Sequence, residues 1–229
     1  MQVFGGSIVA IEQDKRLEED NSILVETQFF EMLDPVSGNM VEYALPKHLY
    51  ILAAMNQADA SVEPLDVAFL RRWAPFHLRP DVALLRSYFG LGDTKLSPLP
   101  ETPTDLKHVL EAEIQAWEAI NLRIRIGRGA EFEIGHGVFL TGQSSAPTDL
   151  AGALTLAAAT WGPIYTHIGE VFFGDLRGVA ATLNVSGGPQ HHPFKLNETM
   201  FADEPRLELI EPSVIDKTNI YSILRSVVG

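Results

Sequence analysis

Residues 48–73, HLYILAAMNQADASVEPLDVAFLRRW, constrain the fold of this chain more than any other stretch. The run LYILAAM has strand length and shows no alternation of apolar and polar residues. A strand with one wet face alternates, whereas a strand covered on both faces reads as a continuous apolar run. Residues 48–55 are therefore expected to form a buried parallel strand of an α/β sheet. The run stops at the polar Asn56. Ser61 and Pro64 then supply the start of a helix that continues to about Trp73 and carries the adjacent Arg71 and Arg72 near its end.

Composition narrows the class. The chain has 229 residues, 46% of them hydrophobic, enough for one large domain or two small ones with a packed core. It contains no cysteine, so it forms no disulfide, thiolate metal site or cysteine nucleophile. A net charge of −13 argues against broad binding of polyanions, and contact with DNA is expected to be indirect at most. No apolar run reaches the roughly 18 residues of a membrane span. The opening MQVFGGSIVAIEQDKR has neither the basic start nor the small-residue cleavage site of a secretory signal. A cytoplasmic protein without a membrane partner is the expectation.

Along the chain, Phe4, Ile8, Val9 and Ile11 give residues 3–12 an apolar helical face. Residues 23–33 and 40–45 read as hairpin arms around DPVSGN, a cluster of turn formers. A short strand is expected at 76–78 and a helix at 81–89. Residues 90–105, GLGDTKLSPLPETPTD, concentrate proline and glycine and read as a linker. Residues 106–125 form a long amphipathic helix, and residues 149–173 an alanine-rich one bent or broken at Pro163. The turn-rich tail holds strand-like pieces at 180–185 and 206–210. The expected organisation is an α/β part at 1–89, a linker at 90–105, a helical subdomain at 106–177 and a tail with short strands at 178–229.

In open α/β sheets, ligands bind beyond the carboxyl ends of the strands, where Asn56 falls. An amide there offers a donor and an acceptor and can hold a water against a phosphate, or it can simply close a turn. Arg71 and Arg72 present planar donor forks that suit phosphate oxygens across a subunit boundary. They suit a helix end equally well, and Asp59, Glu63 and Asp66 are close enough in sequence to pair with them. His136, within FEIGHGVFL, can orient a phosphate or a partner loop, or serve as a hydrogen-bonded structural residue. His191 and His192 have no third ligand at useful spacing, and no metal site is expected there. The phosphate-cradling G-x-x-x-x-G-K-[ST] is absent, as is an apolar strand ending in Asp-Glu that would hold Mg²⁺. G-x-S-x-G and H-E-x-x-H are absent too.

Four segments, in order, resemble the McrB-type branch of the AAA+ nucleoside triphosphatases, motors of modification-dependent restriction. VFGGSIVAIEQDKR (3–16) is similar to that family's helix after the Walker B residues. PKHLYILAAMNQADASVEPLDVAFLRRW (46–73) is similar to its sensor 1 strand and arginine-finger segment. FEIGHGVFL (132–140) resembles its lid motif IGHSYF, with Gly137 and Val138 in place of Ser-Tyr. WGPIYTHIGEVFFGD (161–175) resembles its closing lid helix. The resemblance spans roughly 3–89 and 130–177, the C-terminal half of such a motor. Leu70 and Ala60 stand where the family often has arginine.

The resemblance implies an α/β fold: a partial AAA+ P-loop NTPase core, as a parallel-sheet remnant, followed by a mostly helical lid. It implies that Asn56 is the sensor 1 residue, that Arg71 and Arg72 include the trans-acting finger, and that Asn56, Asp59 and His136 lie toward the nucleotide. ATP or GTP with Mg²⁺ would be held mainly by residues this chain does not contain. The implied partners are a P-loop-containing half or neighbouring AAA+ subunits in a ring, and a McrC-like nuclease. Two other readings stay open. One is a MoxR-like AAA+ protein-remodelling factor, against which the IGH-type lid argues. The other is a non-catalytic remnant or interaction module. In all of them an unpaired apolar strand at 48–55 favours self-association of the isolated chain.

Overall fold

Aspartate begins four of the helices in this chain. Asp81, Asp105, Asp149 and Asp175 each accept, through a side-chain oxygen, the backbone N–H three residues on, from Leu84, His108, Gly152 and Gly178. Each bond satisfies one of the amide donors that a helix start leaves open. The computed structural model describes residues 7–55, 71–140, 145–186 and 191–229. The chain divides into two compact units, Met1–His77 and Leu78–Gly229.

The first unit contains a short helix α1 (Ser7–Ala10), a 3-10 turn (Gln13–Lys15) and an antiparallel hairpin of β1 (Phe30–Leu33) and β2 (Met40–Tyr43). The hairpin turn forms where its composition places it. The Asp34 carboxylate accepts the Val36 amide at 3.0 Å and the Ser37 hydroxyl at 2.6 Å, and Gly38 supplies a φ of 72° that a side chain would disfavour.

The expected buried parallel strand at 48–55 does not form among the described residues. His48 lies in a turn and residues 49–55 belong to no helix or strand, and Tyr50 and Leu52 are 90% and 101% exposed. The physical reason lies in the partners. A central parallel strand takes hydrogen bonds from neighbours on both edges. The strands described in this unit, β1 and β2, pair only with each other. The parallel-sheet remnant is therefore corrected to a mixed α/β chain of helices and two small antiparallel hairpins. The short strand expected at 76–78 is also absent, and Phe76 and Leu78 are exposed.

The second unit is mainly helical: α2 (Val82–Tyr88), α3 (Leu106–Gly127), α4 (Leu150–Val171), α5 (Leu176–Thr182) and α6 (Ile220–Val228), with an antiparallel hairpin of β3 (Lys195–Phe201) and β4 (Glu204–Ile210). Helix α3 is the hub. It buries Val109, Leu110, Ile114, Trp117, Ile120 and Ile124, and packs against α4, α5 and α6. At about 1.5–3 kcal/mol for each large apolar side chain, that face is the main source of the unit's stability.

Pro163 lies inside α4 without ending it. It and Ala159, whose carbonyl loses a helical partner, both lie on the exposed face, so the unpaired carbonyl is open to solvent rather than buried. Residues 180–185, expected as strand-like, instead finish α5. Val179 and Ala180 enter the core, and Asn184 at φ 62° closes the helix with Val185 N–H on the Ala180 carbonyl at 2.9 Å. The proline-rich stretch 90–105 is fastened to the second unit. Arg86 donates to the Gly92 and Thr94 carbonyls, Gln115 to Leu96, Tyr221 to Pro100 and Arg225 to Glu101.

Candidate functional site

In the first unit, Arg16 organises the region that the sequence singles out. Its guanidinium is buried at 7% exposure. Nε and Nη2 donate to the Ile11 carbonyl at 3.0 and 2.6 Å, and Nη1 donates to the Leu49 carbonyl at 2.6 Å. A planar guanidinium spreads its five donors over three nitrogens and so reaches carbonyls on two separate segments, whereas a lysine gathers its three donors on a single nitrogen. Arg16 thereby ties the end of the α1 segment to the start of the apolar run 49–55.

Arg72 forms an ion pair with Glu12, Nε to Oε1 at 2.6 Å, on the same α1 exit. Arg71 beside it is exposed. The two arginines are thus distinguished: Arg72 is engaged within the chain, and Arg71 faces solvent. Asn56 and Asp59 lie outside the described residues.

In the second unit, the motif FEIGHGVFL is pinned to α3. Trp117 Nε1 and Asn121 Nδ2 both donate to the Ile134 carbonyl at 2.9 Å, and the Ile134 N–H donates to Asn121 Oδ1 at 2.7 Å. Phe139 is fully buried and meets the Trp117 ring edge-on, with centroids 5.5 Å apart. Arg125 pairs with Glu133, and His167 Nε2 meets the Phe132 carbonyl at 2.7 Å. His136 is half-buried, and its Nδ1 accepts the Asp81 backbone N–H at 3.2 Å, at the start of α2. An accepting Nδ1 places the ring proton on Nε2. His136 thus joins the motif to α2.

Two buried ionisable sites escaped the sequence reading. Arg86 of α2 and Glu111 of α3 form a buried ion pair, Nη2 to Oε1 at 2.6 Å, and Gln115 donates to the same carboxylate at 3.0 Å. Burial works against the Glu111 carboxylate, but the bonds from Arg86 and Gln115 outweigh it and hold its pKa below the usual range. Glu113 has no such support. It is 2% exposed, and neither carboxyl oxygen has a hydrogen-bond partner among the described residues. Burial raises its pKa to about 8. Thr160 on α4 tempers the shift slightly, but its hydroxyl proton is committed to the Leu156 carbonyl at 2.9 Å. The available signal was two glutamates in LEAEIQAW, falling among the apolar positions of a helix.

His192 is buried between the Leu183 carbonyl at Nε2 (3.0 Å) and Phe194, whose N–H meets Nδ1 at 3.1 Å. Burial lowers its pKa, and both ring nitrogens are occupied, so it is no metal ligand. Among the described residues, no group of histidine, aspartate or glutamate side chains is arranged to hold a metal ion. Among the described residues no helix is long and apolar enough to cross a membrane.

No family model matches this chain. Over 74 residues it is 34% identical to the Type II restriction enzyme BsuMI component YdiS of Bacillus subtilis (strain 168). The match takes in 31% of this chain and 21% of that protein, so the chain spans about a fifth of the length of the curated relative it matches.

Proposed function

We propose that this chain is a component of a DNA restriction system, and specifically the C-terminal half of a McrB-type AAA+ motor that hydrolyses ATP or GTP once a P-loop-bearing half completes it. The observation that carries the reading is the agreement between four ordered motifs and a relative that is itself a restriction enzyme component. Two features of the first unit support it. The apolar residues 49–52 are open on both faces, as a strand awaiting flanking strands would be. Arg71 is exposed and free of the Glu12 pairing that occupies Arg72, so it is the better candidate for a charge delivered to a neighbouring subunit.

In this reading Asn56 is the water-holding amide, Arg71 supplies positive charge across a subunit boundary, and the nucleotide and Mg²⁺ are held by residues outside this chain. The second unit is the lid, with His136 fastening the lid motif to α2. A McrC-like nuclease would be the partner that cuts DNA. The competing reading, a non-catalytic interaction module, rests on the lack of a metal-holding carboxylate group among the described residues.

The test is nucleotide hydrolysis by the purified chain, alone and mixed with the product of a neighbouring P-loop reading frame. The proposal expects activity only in the mixture, reduced roughly a thousandfold or more by Arg71→Ala, on the scale of a lost arginine finger, and affected less by Arg72→Ala. A mixture that forms a complex but never hydrolyses nucleotide supports the interaction module instead.

A further inference from the structure

The hairpin β3–β4 ends in the two-residue turn Ala202–Asp203, with φ of 51° and 63°, and its flanking pair is Phe201 and Glu204. In such turns the flanking pair exchanges both backbone bonds. The alternation of an antiparallel ladder then directs the backbone of Glu204, Arg206, Glu208 and Ile210 toward β3, and that of Pro205, Leu207 and Leu209 outward. Among the described residues, no other backbone group bonds to these outward positions. Leu207 and Leu209 are half-buried and, with Tyr165, Phe172, Val179 and the exposed Glu208, line a groove of about 590 Å³; Arg206 is exposed and pairs along its own strand with Glu204 at 2.6 Å, a surface contact that a better-placed carboxylate can replace. A strand of seven residues with an open edge is a template for another strand.

The charges on β4 select the occupant. In an antiparallel pairing of two β4 strands centred on Leu207, Arg206 of each copy stands opposite Glu208 of the other. Sliding the centre to Arg206 sets arginine against arginine and Glu204 against Glu208. Sliding it to Glu208 sets glutamate against glutamate. Opposite charges directly across a strand pair stabilise it and like charges destabilise it, so EPRLELI is self-complementary in one register and repelled in the adjacent two. We propose that this chain binds a second copy of itself through that β4–β4 edge, giving a four-stranded antiparallel sheet across a two-fold axis.

In this register the two Leu207 residues exchange both backbone bonds. Each Leu209 N–H donates to the carbonyl of Pro205 of the partner subunit. Pro205 itself has no N–H to give, which limits the contact to the Leu207–Leu209 stretch and keeps it weak. A two-fold contact closes on itself, so it joins two molecules or two assemblies and does not build a ring.

The experiment is sedimentation equilibrium of the full chain, wild type against Arg206→Glu, Glu208→Arg and the double swap. Circular dichroism verifies that these exposed substitutions leave the fold intact. The wild type is expected to dimerise with a dissociation constant on the order of 10–100 μM, as befits a small contact. Each single swap turns two attractive pairs repulsive and is expected to weaken dimerisation about tenfold or more. The double swap restores the opposite-charge pairs and is expected to recover most of the affinity. A wild type that stays monomeric above 1 mM, about tenfold beyond that range, overturns the proposal. So does association that all three variants leave unchanged, which then belongs to another surface such as residues 49–55, and so does a double swap no better than the single ones.

Discussion

Glu113 offers the sharpest physical test of the helical unit. Its carboxyl group sits in the core without a hydrogen-bond partner among the described residues, and its pKa rises from 4.5 to about 8. The folded state therefore holds this proton more tightly than the unfolded chain. The stability it permits is fully present below pH 4.5 and is lost as pH rises toward 8. Each pH unit between those values costs about 1.4 kcal/mol, so the native state gives up about 3 kcal/mol by pH 7 and approaches a loss of 5 above pH 8. Glu113→Leu removes the titration and fills a comparable volume with apolar atoms. The assay is urea unfolding followed by tryptophan fluorescence, since Trp117 and Trp161 are both buried in this unit. The stability difference between variant and wild type is expected to widen by about 3 kcal/mol from pH 5 to pH 7.5 in favour of leucine. Other titrating groups are common to both proteins and cancel in the difference. A difference that stays flat with pH would refute the reasoning, because it would mean that the carboxyl group is solvated or paired in solution.

Three further outcomes follow from the same geometry. Arg86→Met or Glu111→Leu alone should destabilise the second unit by about 3–5 kcal/mol, because each leaves an uncompensated buried charge. The double substitution should cost much less, and a thermal-denaturation double-mutant cycle reads the difference. His192 is neutral and its pKa is lowered by burial, so its contribution is present above the ordinary value of 6.5 and declines as pH falls below it. His192→Gln should flatten the stability loss between pH 6.5 and 5, measured by the same unfolding assay. Arg16→Lys keeps the charge but cannot reach the Ile11 and Leu49 carbonyls together, and it should speed amide hydrogen exchange at residues 45–51 at least tenfold.

The helical unit was largely legible in the sequence because its signals are local. An aspartate followed by an apolar face at helical spacing fixes where α2, α3 and α4 begin, and the amide it caps lies three residues away. The turn at 34–39 and the strand β4 were legible for the same reason. What the sequence by itself determined, then, is that α2, α3 and α4 are helical, that a tight turn falls at 34–39 and that β4 is a strand, whereas α5 and α6, whose segments were read as strand-like or turn-rich, took shape only by packing against α3. Residues 48–55 show where that reading stops. Their composition describes a strand covered on both faces, but composition cannot supply the neighbouring strands that make one. Tertiary structure also decided the burial of Arg16, Glu111 and Glu113, the fastening of residues 90–105 to the second unit, and the pairing of Arg72 with Glu12 that leaves Arg71 to solvent. These depend on contacts between residues far apart in the chain, and the energy of a charge is set by what surrounds it in space rather than by what precedes it in sequence.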